Sequence, residues 1–277
     1  VVVGNLTVGG NGKTPVVAAV VEFLKDRGRK VGIISRGYGG AESAWPIRVQ
    51  PDSRAEQVGD EALELVRRCG VPAWVCARRD RALDSAVAHG CDVVVSDDGL
   101  QHRRLARSFE VCVIDGVRGF GNGWVLPAGP LRQAVDRLNT VDQVLVKLPH
   151  GAPSPPDPYR GFVLEATGLR ALNPGRGRDL PAPPARVDAV AGIADPDAFF
   201  DLLTRQGFRV DGWALEDHQD IPRKKLAALA GPVIVTAKDA ARLGEVDRDD
   251  LFVLDVQADL PERALEQVLE HVLQFQS

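Results

Sequence analysis

The sequence predicts an α/β protein of the P-loop NTPase-like class, and three observations carry that prediction. Apolar runs rich in Val and Ile alternate with helix-forming stretches; the first run leads into a glycine-rich turn ending in Gly12-Lys13-Thr14; a later run ends in Asp97-Asp98. Strands alternating with helices build parallel βαβ units whose sheet is covered on both faces. The chain has 277 residues, 44% apolar and 26% charged, enough for one large or two medium domains. A net charge of −4 provides no basic field, so no nucleic-acid partner is expected. Four scattered cysteines without a C-x-x-C pair fit a reducing compartment. No apolar run reaches the length that spans a bilayer, and no signal peptide is visible. Because Val1 lies inside what reads as a core strand, a further segment upstream is expected.

In order, residues 1–3 read as a buried strand and 14–27 as a helix, with the glycine-rich turn between them. A strand follows at 30–35, ending in Ser35-Arg36-Gly37-Tyr38-Gly39-Gly40, then a short edge strand at 44–50. Gly59-Asp60-Glu61 opens a helix to residue 68; 73–76 is a strand, 79–88 a helix and 92–96 a β-branched strand. Strands at 110–114 and 143–147 flank a Gly/Pro-rich loop at 116–132. Five prolines between 149 and 158 exclude regular structure, and a second irregular stretch covers 173–184. Between them lies a strand at 161–167. Beyond come a strand at 189–191, a helix at 196–206, a strand at 208–213, a helix at 223–230, strands at 232–236 and 251–256, and a last helix from 262. The expected division is residues 1–155, a nucleotide-binding domain, and 156–277, a smaller α/β domain.

In open parallel sheets, ligands gather at the carboxyl ends of the strands. Glycines 9, 10 and 12 let the backbone turn tightly with its amides inward, where they cradle phosphate at a helix N-terminus. Lys13 reaches terminal phosphates, and the Thr14 hydroxyl is placed to ligate Mg²⁺. The general template asks for glycine where this chain has Thr7. Asp97-Asp98 after an apolar strand could form an Asx turn, but paired with the Gly-Lys-Thr loop the pattern favours a Mg²⁺ role for at least one of the two. By spacing alone Asp60 is a helix cap beside Glu61. His218, with acids on either side, is a base or a solvated loop residue, and no histidine pair has metal-ligand spacing. The 116–132 loop suits an amphiphilic or anionic acceptor, or is a long connector.

Seven ordered motifs then converge. They are Thr7-Val8-Gly9-Gly10-Asn11-Gly12-Lys13-Thr14-Pro15, Ser35-Arg36-Gly37-Tyr38-Gly39, Gly59-Asp60-Glu61-Ala62, Asp97-Asp98-Gly99-Leu100-Gln101-His102, the loop containing Leu126-Pro127-Ala128-Gly129-Pro130-Leu131-Arg132, Asp217-His218, and Thr236-Ala237-Lys238-Asp239-Ala240. Together they resemble the tetraacyldisaccharide 4′-kinases, the lipid A 4′-kinases of Gram-negative bacteria. The resemblance spans nearly the whole chain. It implies two α/β/α sandwich domains joined by a short β linker, and ATP-dependent phosphorylation of a lipid disaccharide 1-phosphate with Mg²⁺. It implies work at the cytoplasmic face of the inner membrane, and an N-terminal membrane helix that this chain does not contain. By the same likeness Asn5 and the 7–14 loop, with Arg36 and Tyr38, hold the nucleotide. Thr14, Asp97 and Asp98 serve the metal, and Lys13, Asp60 and His218 are catalytic. Glu61, Arg81, Gln101, His102 and Arg132 are weaker matches on the substrate side. Gln133 and Gly40 depart from the family's usual Glu and Arg. The competing readings are a P-loop ATPase switch, which Val8 in place of a lysine disfavours, and a kinase of a soluble metabolite.

Overall fold

The computed structural model describes residues 1–40, 45–173, 179–244 and 246–274. Its elements in chain order are β1 (Val2–Gly4), α1 (Lys13–Asp26), β2 (Val31–Ser35), β3 (Ile47–Val49), α2 (Ala55–Val58), α3 (Asp60–Cys69), β4 (Ala73–Val75), α4 (Arg79–Ala88), β5 (Val93–Asp97), β6 (Glu110–Asp115) and β7 (Gln143–Lys147). They continue with β8 (Arg160–Ala171), β9 (Arg186–Ala191), α5 (Pro196–Arg205), β10 (Arg209–Ala214), α6 (Arg223–Ala228), β11 (Val233–Thr236), α7 (Ala237–Leu243), β12 (Leu251–Asp259) and α8 (Glu262–Gln274). The chain divides into two compact units, Val1–Leu164 with Ala258–Ser277, and Glu165–Gln257. The sequence places a single break at 155/156. The contacts place two, because α8 turns its face to the first unit: Gln143 donates to the Ala264 carbonyl (3.3 Å) and to Gln267 (3.0 Å), and the Phe109 ring lies 5.2 Å from that of His271.

In the first unit the strand order is β7-β6-β1-β5-β2-β4-β3, with the start of β8 beside β7. All pairs are parallel except β3 with β4. Strands buried on both faces carry no polar alternation, which is why β1, β2 and β6 read as unbroken apolar runs. One face is covered by α4, whose Ala82 and Ala86 pack with Val2, Ile34 and Cys112. Helix α1 buries Val16, Val17, Val21 and Leu24 without exposure. Pro15 is tolerated there because the first turn needs no amide donor.

In the second unit β10-β9-β11-β12 are parallel neighbours. Alternate residues sort to opposite faces. Ala189, Ile234 and Phe252 meet Phe199 and Leu203 of α5, while Val190, Val235 and Val253 meet Leu226 of α6 and Ala240 of α7. This is the three-layer arrangement expected from the sequence. Two short helices, α2 and α7, were not foreseen; α7 starts directly off β11 with no loop residue to mark it. The edge strand is only Ile47–Val49, residue 44 lying outside the described residues, and β8 runs to Ala171 rather than 167.

Candidate active site

The loop that joins β1 to α1 is held by its own side chains. Gly9 and Gly12 take positive φ values of 87° and 80°, the left-handed region that only glycine enters freely. Thr7, the departure from the general template, earns its place: Asn11 Nδ2 donates to Thr7 Oγ1 at 2.8 Å and closes the turn from inside. Asn5 Nδ2 donates to the Thr7 carbonyl at 2.8 Å. The amide of Val8 is committed to the Pro130 carbonyl (2.9 Å), so that donor faces the neighbouring loop and not the cradle. Lys13 and Thr14 open α1 immediately behind.

Asp97 and Asp98 stand at the end of β5, whose Asp97 is in register with Val3 of β1. Lys13 Nζ lies 3.7 Å from Asp98 Oδ1, and Arg132 Nη1 donates to Asp98 Oδ2 at 2.7 Å. Asp98 has φ 52°, and its carbonyl accepts from the buried Arg79. Burial works against its charge, but Lys13 and Arg132 hold the Asp98 carboxyl below the usual carboxylate range. Asp97 is the opposite case. It is 1% exposed, and neither carboxylate oxygen has a hydrogen-bond partner among the described residues. Burial, with Glu61 adding to it, pushes its carboxyl up to about 7 against the pull of Lys13. Asn5 Oδ1 is likewise buried and unpartnered.

Those orphaned oxygens test the fit of a divalent cation. Two carboxylates and the Thr14 hydroxyl are hard oxygen donors. Mg²⁺ is commonly held by one or two carboxylates plus phosphate and water rather than by a protein cage. That explains why no group of three metal-ligating side chains occurs among the described residues. The residues present fit Mg²⁺.

Asp60 is 4% exposed and begins α3, its Oδ1 accepting from the amide of Glu61 at 2.9 Å. The preceding turn packs on the segment after β2. A Cβ on Gly59 would stand 2.6 Å from the Tyr38 carbonyl, and one on Gly40 would stand 2.8 Å from the Gln57 carbonyl and the Gly59 amide. This arrangement therefore admits no side chain at the Gly40 departure. Arg36 and Tyr38 are exposed, Tyr38 by 63%. Arg81 lies 4.9 Å over the ring of Trp45. Gln101 Nε2 donates to the Asn5 carbonyl (2.9 Å) and to Gln133 Oε1 (3.2 Å). A glutamate at 133 would accept the same bond, so this departure keeps the contact and removes a charge. Burial, seconded by Arg79, lowers the pKa of His102, whose Nε2 has no hydrogen-bond partner among the described residues.

Sequence reasoning missed a brace under the loop. Asp115, at the end of β6, accepts from the amides of Val117 and Arg118 (both 3.0 Å) and from Arg118 Nη2 (3.5 Å), and pairs with Lys147 Nζ (2.8 Å). Arg118 in turn donates to the Gly10 carbonyl and to Asn11 Oδ1. Charged residues that end apolar strands β6 and β7 were the available signal.

The second unit holds the remaining candidate. His218 has φ 63° and donates its amide to the Gly192 carbonyl at 3.2 Å. Lys238 Nζ lies 3.1 Å from His218 Nε2, and Asp217 Oδ1 lies 3.8 Å from it. Asp239 accepts from the Gly192 amide (3.1 Å), from Thr236 Oγ1 (2.6 Å) and from Arg242. Thus Thr236-Ala237-Lys238-Asp239 caps α7, ties down the end of β9 and delivers Lys238 to the histidine. Lys238 stands within the Thr236–Ala240 motif, but the sequence assigns it no role, because its contact crosses from helix α7 to the loop of His218.

Comparison with known proteins follows the same lines. The family model described as Tetraacyldisaccharide-1-P 4′-kinase matches residues 1–274. Tetraacyldisaccharide 4′-kinase of Pasteurella multocida (strain Pm70) is 40% identical over 266 residues, 94% of this chain and 80% of that protein. A crystal structure of LpxK from Aquifex aeolicus in complex with ATP superposes with a TM-score of 0.77 at 23% identity, covering 98% of this chain and 87% of that one.

Proposed function

The chain belongs to the tetraacyldisaccharide-1-P 4′-kinase family, and from that membership we propose how its own residues perform the reaction. The activity is ATP-dependent phosphorylation of the 4′-hydroxyl of tetraacyldisaccharide 1-phosphate, giving lipid IVA in lipid A biosynthesis. One observation supports the site assignment above the others. At the carboxyl edge of one sheet, a glycine-rich loop and Lys13 meet two aspartates, and one of these is buried with both oxygens unpartnered.

The first unit is the nucleotide-binding domain. Loop amides and the Lys13 ammonium take the phosphate oxygens of ATP, with Asn5, Thr7, Asn11, Arg36 and Tyr38 around the nucleotide. Thr14, Asp97 and Asp98 are the residues that hold Mg²⁺, which when bound neutralises the charge of the transferring phosphoryl group. Asp60, buried and held by its own helix amide, accepts the proton of the acceptor hydroxyl. The second unit supplies His218, whose Nε2 faces the Lys238 ammonium. Glu61, Arg81, Gln101, His102 and Arg132 serve the acceptor side, Arg132 also orienting Asp98. Phosphoryl transfer depends mainly on such alignment and charge stabilisation. The acceptor is a lipid, which puts the reaction at a membrane surface, the cytoplasmic face of the inner membrane. No helix among the described residues is long and apolar enough to cross that membrane.

Transfer of labelled γ-phosphate to the disaccharide lipid in detergent tests the proposal. Asp60→Ala is expected to lower kcat at least about tenfold with the KM for ATP unchanged. Near-normal turnover in that variant would return Asp60 to a purely helix-capping role. ATP hydrolysis without transfer by the unaltered protein would favour a nucleotide switch.

A further inference from the structure

Residues 116–131 hold one charged side chain, Arg118, and no acid, in a chain that is 26% charged. Large apolar side chains in this loop face solvent: Trp124 is 65% exposed, Val125 44% and Leu126 52%. A loose loop does not explain this, because the backbone around them is tied by hydrogen bonds. Leu126 donates to the Leu131 carbonyl (2.7 Å) and Leu131 to that of Trp124 (3.1 Å). Asn122 ties the tip across its base, donating to the Ala128 carbonyl (2.9 Å) and accepting from the Trp124 amide (3.1 Å). Leu131 is completely buried and bridges both Val125 and Thr7. The fold therefore holds three apolar side chains outward on a built platform, the arrangement of a surface with an apolar partner.

Two features say which partner. A tryptophan among aliphatic neighbours suits the boundary between water and hydrocarbon, since its ring is apolar and its N–H polar. The absence of acids from this stretch removes repulsion from anionic headgroups. The platform is also continuous with the phosphate loop: Pro130 accepts from Val8, Arg132 donates its amide to Leu6 (2.6 Å), and Arg118 reaches Gly10. Val8, itself 44% exposed, extends the apolar surface toward the site.

We propose that Trp124, Val125 and Leu126 form an interfacial anchor that seats in an anionic lipid surface and presents the phosphate loop to it. The choice of a lipid surface rests on the kinase reading above, because the acceptor's acyl chains reside in one.

Co-sedimentation of the full chain with vesicles of phosphatidylethanolamine and phosphatidylglycerol tests the anchor separately from the chemistry. Trp124→Ser combined with Leu126→Ser removes two exposed side chains that touch no reacting group. It is expected to weaken vesicle binding at least about tenfold, with transfer to detergent-dispersed acceptor held within about twofold. Brominated lipid should quench tryptophan emission in the unaltered protein, and Trp124→Phe should bind as well while losing that quenching. Unchanged vesicle binding in the double variant overturns the proposal. So does unchanged binding with a raised KM for the dispersed acceptor, which would make the tip a subsite for acyl chains. Vesicle binding by an unaltered protein that transfers no phosphate would sink the kinase reading and leave the anchor standing.

Discussion

Asp97 and Asp239 are both 1% exposed, and they sit in the protein in opposite ways. Asp239 accepts from a backbone amide, a threonine hydroxyl and an arginine, so its charge is spent on holding β9, α7 and the loop of His218 together. Asp97 has no hydrogen-bond partner among the described residues, and burial pushes its carboxyl up to about 7. A buried carboxylate is costly unless paired or coordinated to a metal. A site that leaves one unpaired is therefore destabilised until a ligand completes it, whereas a saturated one is architecture. Burial alone does not separate the two; counting the partners does.

The sharpest way to break this contrast is to neutralise each residue in turn. Asp97→Asn is expected to lower phosphate transfer at least about a hundredfold while the protein stays folded, read by steady-state kinetics beside circular dichroism. Retained turnover would remove Asp97 from the metal site. Asp239→Asn should act on stability instead, by about 3 kcal/mol in denaturant unfolding, because it leaves the Arg242 guanidinium facing a neutral amide. Its KM for ATP should not move. Intact stability with lost turnover would make Asp239 a reacting group.

The third test uses pH. In metal-free protein Asp97 keeps its proton up to about pH 7, whereas the unfolded chain releases it near its ordinary value of 3.8. Between these values the folded state binds more protons, so stability should fall as pH rises, by at least about 1 kcal/mol. With chelator present, Asp97→Asn should flatten that slope; an equal slope in the variant would assign it elsewhere. The smallest effect is expected at the loop itself. Thr7→Val keeps the shape but removes the acceptor of the Asn11 bond, and should raise the KM for ATP by about fivefold, worth about 1 kcal/mol.

Much of this was legible in the sequence, for identifiable reasons. Parallel strands announce themselves because burial on both faces demands unbroken apolar runs such as Val93-Val94-Val95. Lys13, Thr14 and the aspartate pair follow directly from strand ends and a glycine turn. The brace of Asp115, Lys147 and Arg118 was not legible, since its members meet only when neighbouring strands β6 and β7 bring their ends level. Nor was the role of Lys238, whose partner lies twenty positions away, in a loop outside its own helix α7. The amphipathic pattern of α8 announces a helix but not which core it covers. Thr7 shows the reverse error: it reads as a defect against a general template, and proves to be half of a side-chain bond that closes the turn.

That division of the chain also orders its birth. The second unit is one continuous stretch, Glu165–Gln257, while the first is interrupted and regains its last helix only after residue 258. Domains fold largely as units while the chain emerges from the ribosome. The phosphate loop is thus made well before α8, yet the unit that carries it is completed only when α8 covers Phe109 and Gln143. A truncation that removes only the final helix would spare every residue of the proposed chemistry and still leave the nascent kinase unfinished.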